Sequence, residues 1–584
     1  MFDPFFSEIF KSPLSAPSLI LVHYILLFII TFKIIFEAVK SYKQNNLFVV
    51  IISLFILGVS LFLNFYKITE FPPSGHEDDA KTVIGAYILK ETGHDSDGKS
   101  IPYCPDVRVF YHNKNIWGEG QRGIAVYTQA FVQYFCEPGY FSFRLQSALV
   151  MLFATIVIFA ISFLLTQNLI ASLLIGALFI TLPWTRTFAR MTSESTCICF
   201  AATCYLFSSL YLTKKRGFIE ILFYLTSLCT MFFAYPTGFL FAPICSVLIP
   251  FIFYFHSKDH RGLSKKLIIF GTILLCFFFI NFRHDEGFEF ALRRAETAQQ
   301  LIGLENLNLN EFVSANTKKV SSYLANYIAY FLPQYLFLVG DGNLRHNTRF
   351  GGELFGTLFI AFYIGLIYLI TNFKSDLKLK LLLGYLMISP IPASLCAEGA
   401  LDLILGLPLH ALRSAFILPA ATVLVLFGFL EILKRSKVLF FIYLILLAFN
   451  IKLFYFDYFN EYPKRLTHIW TTDPGFPEVT KKAVEILKEY PNKRLIYHSS
   501  NYFIPYYNLN RIGIKDLTTG GGVLANAYRY GDIENIQPEK DDLFIAEEPF
   551  DYNRLNKKVK FIMRVRNPYL ENNAYGVSLF EIIE

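Results

Sequence analysis

Long apolar runs separated by short polar breaks fill the first 456 positions of this chain. A helix needs about 20 apolar residues to cross a hydrocarbon core. Runs of that order lie near 19–37, 47–66, 145–165, 169–185, 195–212, 218–234, 237–255, 267–282, 354–372, 379–397, 412–432 and 438–456. The pattern predicts a polytopic α-helical membrane protein of about twelve spans, several short enough to tilt or merge.

The breaks orient the spans. Lys40 and Lys43, the run Lys214, Lys215 and Arg216, then Lys258, Arg261, Lys265 and Lys266, then Lys374, Lys378 and Lys380, and finally Lys434, Arg435 and Lys437 fall on alternate connections. Basic residues accumulate on the cytoplasmic side, so that side is assigned to them. The turn at 166–168 is uncharged and decides nothing. The loops 67–144 and 283–353 and the segment 457–584 are then extracytoplasmic. With Asp3 and Glu8 near the start and no small-residue cleavage site after the first run, that run is read as a retained span.

The polar segments carry their own patterns. Within 67–144, a Pro72-Pro73 break precedes Glu77, Asp78 and Asp79, and Ala80–Lys90 has helical spacing of Val83, Ala86, Tyr87 and Lys90, as in a helix lying along a membrane surface. The three acids fit two readings. They sit where carboxylates accept protons at a cavity mouth, and they also suit a helix N-terminus, whose dipole favours negative charge. Spacing in Gly287–Tyr323 predicts one or two interfacial helices. From Asp457 the composition becomes that of a soluble α/β domain: an amphipathic helix over Pro477–Tyr490 and strands at Arg494–His498, Asp542–Ala546, Val559–Val565 and Gly576–Ile582. The domains are thus 1–456, a membrane module with its two external loops, and 457–584.

Composition agrees with this class. Of 584 residues, 54% are apolar and only 17% charged, too hydrophobic for a solvent-exposed globule. The net charge of +7 reports topology, since no basic stripe interleaved with aromatics marks a nucleic-acid surface. Most of the nine cysteines lie inside apolar runs, where Cys acts as a small hydrophobe. Cys104 and Cys136 share one external loop and are compatible with a single disulfide. His76, His94 and His112 match no compact ligand spacing, so no obligatory metal or other cofactor is expected. Gly520, Gly521 and Gly522 lack a surrounding phosphate-binding fingerprint and read as a loop. No internal repeat is evident.

Three further external clusters carry candidate chemistry. Arg190 and Glu194 stand four apart, a spacing that shares one helix face and suits an ion pair as well as a site. In Phe337–Phe355, Gly and Asn form a turn presenting Asp341, Arg345, His346 and Arg349. Arginine binds phosphate through paired donors, and interfacial arginines also snorkel. In Pro408–Pro419, His410 and Arg413 sit at the outer end of a span, placed for a lipid headgroup or lipid-linked phosphate.

Taken in order, these segments resemble a known family. PPSGHEDDA with Tyr87, Thr92-Gly93-His94-Asp95 and Asp97-Gly98-Lys99 is similar to the first external loop of GT-C glycosyltransferases, in the bacterial branch related to protein O-mannosyltransferases and aminoarabinose (lipid A) transferases. Phe141–Leu149, with Arg144 and with Gln146 where proline is usual, Ala189–Glu194, Tyr335–Phe355, Pro390–Pro419 and Tyr458–Trp470 resemble its later motifs. The resemblance runs from Phe71 to Trp470; the span at 19–37 is additional to it.

The resemblance implies an inverting transferase that takes a sugar from a polyprenyl-phosphate donor. It places Asp78 as general base, Asp79 and Glu194 beside it in catalysis, and Glu77, Tyr87, Arg190, Arg345, His346, Arg349, His410 and Arg413 as substrate-binding residues. The acceptor would be a lipid, glycan or protein at the outer face of a bacterial inner membrane, with membrane lipids as the other partner. Two other classes compete. A transporter or flippase of lipid-linked saccharides would show ionisable residues along its spans, which most of these runs lack. A sensor anchored by many helices would place all activity in 457–584.

Overall fold

A computed structural model describes residues 4–5, 16–40, 47–73, 75–100, 105–111, 114–120, 123–191, 193–282, 323–395, 409–466, 473–497, 503–519, 522–529, 538–570 and 575–584. The interfacial helices expected in Gly287–Tyr323, all but its last residue, and Cys104, His112, Gly520 and Gly521, lie outside these residues. A helix stands at each of the positions where a span is expected. Among the described residues, seven helices are long and apolar enough to cross a membrane, or eight if the bent pair Leu169–Thr181 and Pro183–Met191 is one span. Seven or eight spans are thus supported among the described residues, and the count of about twelve is not confirmed. Phe359–Asn372 and Leu377–Ile388, with 14 and 12 residues, are too short for a perpendicular crossing.

The chain divides into two compact units: one of residues 16–66 and 147–458, the other of residues 1–15, 67–146 and 459–584. The first is the helical bundle. Ala16–Lys40 and Lys437–Asn460 present Phe28, Phe32, Phe36, Phe441, Phe449 and Phe456 outward, as lipid-facing helices do. Inside, apolar packing gives helices little preference for protein over lipid, so close approach at small residues supplies the attraction. Phe359–Asn372 and Ile417–Arg435 meet this way. A Cβ on Gly365 would fall 1.9 Å from the Leu424 carbonyl oxygen, and one on Gly428 1.8 Å from that of Ala361.

The second unit joins the loop 67–144 to the C-terminal residues through one core. Ala80, Val83, Ile84 and Ile88 of the helix Glu77–Thr92 pack with Phe476, Val479 and Leu487 of the helix Phe476–Glu489 and with Phe503 and Tyr506. The first helix is thus an interior element, buried on nearly every face from Asp79 to Leu89, and not a surface-lying one. Strands β1 (Asp106–Tyr111) and β2 (Lys114–Gly120) form an antiparallel hairpin that the loop's composition did not announce. A five-stranded sheet follows, from β3 (Leu495–Tyr497), β4 (Ala527–Arg529), β5 (Leu543–Glu548), β6 (Val559–Arg566) and β7 (Gly576–Ile582), in the order β4-β3-β5-β7-β6. The β4-β3-β5 pairs are parallel, and the β5-β7 and β7-β6 pairs antiparallel. Cys136 carries a free thiol.

Within this unit, burial raises the Glu547 carboxyl to about 7, and the charge of Asp473 raises it further while a backbone hydrogen bond from Asp473 opposes. The folded chain thus holds a proton that the unfolded chain releases near its ordinary value of 4.5. Stability is complete below that value, falls as pH rises through about 7, and levels off above. Glu547→Gln should flatten the unfolding midpoint across that window; an unchanged slope in the variant would contradict the assignment. In the bundle, Gly428→Val should cost roughly 1–3 kcal/mol by overpacking, read as a lower unfolding midpoint in detergent.

Candidate functional site

The segment Gln334–Leu358 of the bundle unit folds around one carboxylate. Asp341 is buried, and each of its oxygens is held by backbone. Oδ1 accepts the Asn343 N–H at 2.8 Å, closing an Asx turn, and Oδ2 accepts the Ala411 N–H at 2.8 Å. His346 Nδ1 lies 3.1 Å and His410 Nδ1 3.8 Å from Oδ2. The turn repeats along the loop, with Arg345 N–H donating to Asn343 Oδ1 and Arg349 N–H to Asn347 Oδ1. Three short side-chain turns thus shape a segment with no helix or sheet ladder to satisfy its backbone. Gly340 makes the entry, at φ +74, where a Cβ would meet Asn347 Nδ2 at 2.2 Å.

A second buried carboxyl backs the first. Glu353 Oε1 accepts the Asp341 N–H at 2.8 Å and Asn347 Nδ2 at 3.2 Å, while Oε2 has no hydrogen-bond partner among the described residues. Burial, and after it the charge of Asp341, pushes Glu353 well above the usual carboxylate range. Asp341 goes the other way: burial pushes its carboxyl up, but the His346 hydrogen bond and the histidine charges outweigh it and hold it low. The two carboxyls therefore differ in charge at neutral pH, Asp341 ionised and Glu353 protonated. His410 is driven well below its ordinary value, first by burial, with Arg413 and Arg345 adding to this against the attraction of Asp341.

The loop is fixed to the bundle by Thr187 Oγ1 donating to the His346 carbonyl and by the Trp184 N–H donating to that of Glu353. From the other side, the Tyr335 hydroxyl pairs with Ser414, whose Oγ also reaches the His410 carbonyl. Arg413 is buried. Arg349 is exposed, at φ +60, with Nη2 on the Gly342 carbonyl. The structure thus brings Asp341, Arg345, His346, His410 and Arg413 into one cluster and leaves Arg349 on its rim. One ligand atom from each of Asp341, His346 and His410 lies within 4.8 Å of the others, the geometry of a metal-binding group.

Arg190 and Glu194 do not share a helix. Arg190 is near the end of Pro183–Met191, and Glu194 opens Ser193–Tyr211. Arg190 Nη2 donates to the carbonyls of Asn64 and Tyr66, each at 2.8 Å, and Arg186 Nη1 to that of Leu63 at 2.6 Å. These carbonyls lie at the end of Leu47–Phe65 and just beyond it, where no intrahelical donor reaches. Arg186 also lies over the ring of Tyr458 at 4.8 Å.

In the loop and C-terminal unit, His76 caps the helix that carries the acids. The Asp78 N–H donates to His76 Nδ1 at 3.1 Å, and the His76 N–H to Asp79 Oδ2 at 3.1 Å, a capping box. Asp79 is buried, whereas the Asp78 side chain is 45% exposed, with Oδ2 3.2 Å from His76 Nδ1. Glu77 pairs with Lys81 at 2.9 Å. Tyr87 is half-buried against the core. Arg144 is fully buried, donating to the Tyr140 hydroxyl at 2.7 Å and lying over its ring.

No family model and no curated protein matches the sequence. Solved structures do. ArnT from Cupriavidus metallidurans, bound to undecaprenyl phosphate, aligns at TM-score 0.50 and 10% identity, over 91% of this chain and 97% of that one. The fold is that of the GT-C glycosyltransferases. The apo oligosaccharyltransferase of Archaeoglobus fulgidus aligns at TM-score 0.47 and 10% identity, over 82% of this chain and 64% of that one, so this chain spans less than two thirds of its length.

Within this GT-C fold, sequence reasoning missed Arg186, Glu353 and Asn347. Their signal was faint: a Trp-Thr-Arg-Thr entry to a short helix, and a glutamate after a Gly-Gly pair. Glu353→Gln, which keeps a neutral group of the same shape, should fold with a midpoint near that of the wild type. Glu353→Ala, which strands the Asp341 N–H, should lose about 1–3 kcal/mol. Equal losses for the two variants would show that Glu353 is ionised.

Proposed function

We propose that this chain is a membrane glycosyltransferase that moves a sugar from a polyprenyl-phosphate carrier to an acceptor hydroxyl at the extracytoplasmic face of a bacterial inner membrane, with inversion. The observation that supports this most is the buried cluster of Arg345, Arg413 and two histidines around Asp341, within a fold whose solved counterpart holds undecaprenyl phosphate. A lipid phosphate entering such a site gains charge-assisted hydrogen bonds that an apolar bundle otherwise withholds.

The chemistry follows from charge flow. The acceptor oxygen bonds to the anomeric carbon from the face opposite the phosphate, and the bond from that carbon to the phosphate oxygen breaks with its electron pair. Polyprenyl phosphate leaves. Asp78, exposed enough to meet an acceptor, takes the hydroxyl proton. Arg345 and Arg413 stabilise the charge on the departing phosphate. Glu194 assists the proton transfer, Asp79 holds the base through the capping box, and Glu77, Tyr87, His346, Arg349 and His410 contact substrate. Arg190 orders the end of Leu47–Phe65, and so supports the site by position.

Asp78→Asn should lower transfer at least about 100-fold, the scale of a lost general base, while expression and unfolding midpoint stay at wild-type levels. The assay is release of polyprenyl phosphate together with glycosylated product. Normal turnover by this variant would refute the assignment of the base. Carrier-linked sugar crossing a vesicle membrane without any product would instead identify a transporter.

A further inference from the structure

We propose that Arg216, His256, His260 and Lys380 form a binding site for the phosphate of an anionic phospholipid, at the end of the bundle away from Asp341. Three connections meet there. Arg216 follows the helix Ser193–Tyr211, His256 ends the helix Gly238–His256, His260 closes the short turn Lys258–His260, and Lys380 lies in the first turn of Leu377–Ile388. Arg216 Nη2 lies 2.7 Å from His260 Nε2, and Lys380 Nζ 3.2 Å from His256 Nδ1. The two rings meet edge to face with centroids 5.3 Å apart, so the four groups make one cluster.

Its charge balance points to the ligand. Arginine and lysine offer donors only, so each ring nitrogen facing a cation is the acceptor, and two full positive charges rest on imidazoles. Among the described residues, no carboxylate forms an ion pair with either cation. Asp376 and Asp259 act on the rings only from farther off, and Asp376 Oδ1 is occupied by the Lys378 N–H at 2.8 Å. A preference for basic residues at one membrane face accounts for their number. It does not account for their convergence on neighbouring rings, which brings like charges together with no acid between them. A phosphate oxygen supplies the missing charge and takes paired donors from arginine. Arg216 is exposed, with one of its donors on His260 and the rest open to a ligand. With Nδ1 of His256 accepting from Lys380, that ring's proton is on Nε2, a further donor. His260 is buried, bonded to Ser257 through Nδ1 and packed on Phe253, so Arg216 is held on a fixed base.

The surroundings favour a lipid as the source of the phosphate. Phe255, beside His256, is 72% exposed, and Phe218, two residues after Arg216, is 79% exposed. Acyl chains below a headgroup cover such rings, whereas free phosphate leaves them bare; basic pockets between membrane helices hold headgroups in this way. The site is also remote from the reacting phosphate. Thr187 bonds the His346 carbonyl and Thr196 the Phe188 carbonyl, which sets the start of Ser193–Tyr211 beside the Asp341 cluster. The 19 residues of that helix then span about 28 Å before the Arg216 end. The inference therefore does not depend on the transferase reading.

The test uses the full chain, delipidated in neutral detergent and titrated with phosphatidylglycerol, phosphatidylcholine or inorganic phosphate. Unfolding midpoint and lipid retained in native mass spectrometry are the readouts. Phosphatidylglycerol should raise the midpoint and stay bound, and phosphatidylcholine should do neither. Arg216→Gln combined with Lys380→Gln should weaken phosphatidylglycerol binding at least about tenfold. Lys40→Gln combined with Lys437→Gln, which removes the same charge from other connections, should leave it unchanged. Equal losses in the two double variants, or no preference of the wild type for phosphatidylglycerol, overturns the proposal. Stabilisation by inorganic phosphate as large as by phosphatidylglycerol overturns the lipid assignment. Should the first double variant not fold, Lys380→Gln alone takes its place, and binding as tight as wild type overturns the site.

Discussion

A charged carboxylate buried in an apolar helical protein must be fully compensated, and Asp341 organises its surroundings to meet that demand. Leaving such a group without partners would cost several kcal/mol or drive it to the neutral form. Two backbone N–H groups from separate segments and the ring of His346 supply the compensation, with His410 Nδ1 3.8 Å away. Each donor fixes something else in turn. Asn343 sets the first Asx turn, Ala411 draws in the segment before Ile417–Arg435, and His346 is itself clamped to Pro183–Met191 through Thr187. Glu353, kept neutral by burial beside Asp341, holds the N–H of Asp341 from behind. The cluster is therefore assembled by the needs of one charge, and not by regular secondary structure.

The same reasoning explains the buried arginines. The last carbonyls of Leu47–Phe65 are unsatisfied by geometry, and in a low-dielectric interior they need donors. Arg186 and Arg190 supply them at Leu63, Asn64 and Tyr66. A cation at a helix C-terminus also meets the negative end of the dipole. On this account the bend of 56° before Pro183–Met191 presents the two guanidinium groups to that helix end.

What the sequence made legible follows from which signals are local. Apolar runs marked every long helix of the bundle, because lipid imposes a length and a composition on them. They did not mark which helices cross: a run such as 379–397 reads as a span, yet its helix ends at Ile388. Alternation placed β5, β6 and β7, whereas β4, three residues long, has too short a pattern to stand out. The helix Ala80–Lys90 was visible from its spacing, but its near-complete burial depends on residues some 400 positions away, such as Phe476 and Tyr506. Charge motifs singled out Asp341, His346, His410 and Arg413 separately. Their convergence was hidden, since a turn at 340–349 and a turn at 409–416 meet through the Ala411 N–H on Asp341 and the neighbouring rings of His346 and His410. Arg190 and Glu194 misled because i, i+4 spacing holds only inside an unbroken helix.

The proposed reaction cleaves the bond between a sugar and a lipid phosphate and passes the sugar on. The most direct measurement follows the anomeric carbon by NMR in a reaction of the purified wild-type chain with a polyprenyl-phosphate sugar of known configuration and a mixture of envelope acceptors. The account predicts acceptor-dependent release of polyprenyl phosphate and a product of opposite anomeric configuration. A product of retained configuration, or a donor left uncleaved in the presence of every acceptor class, would contradict it.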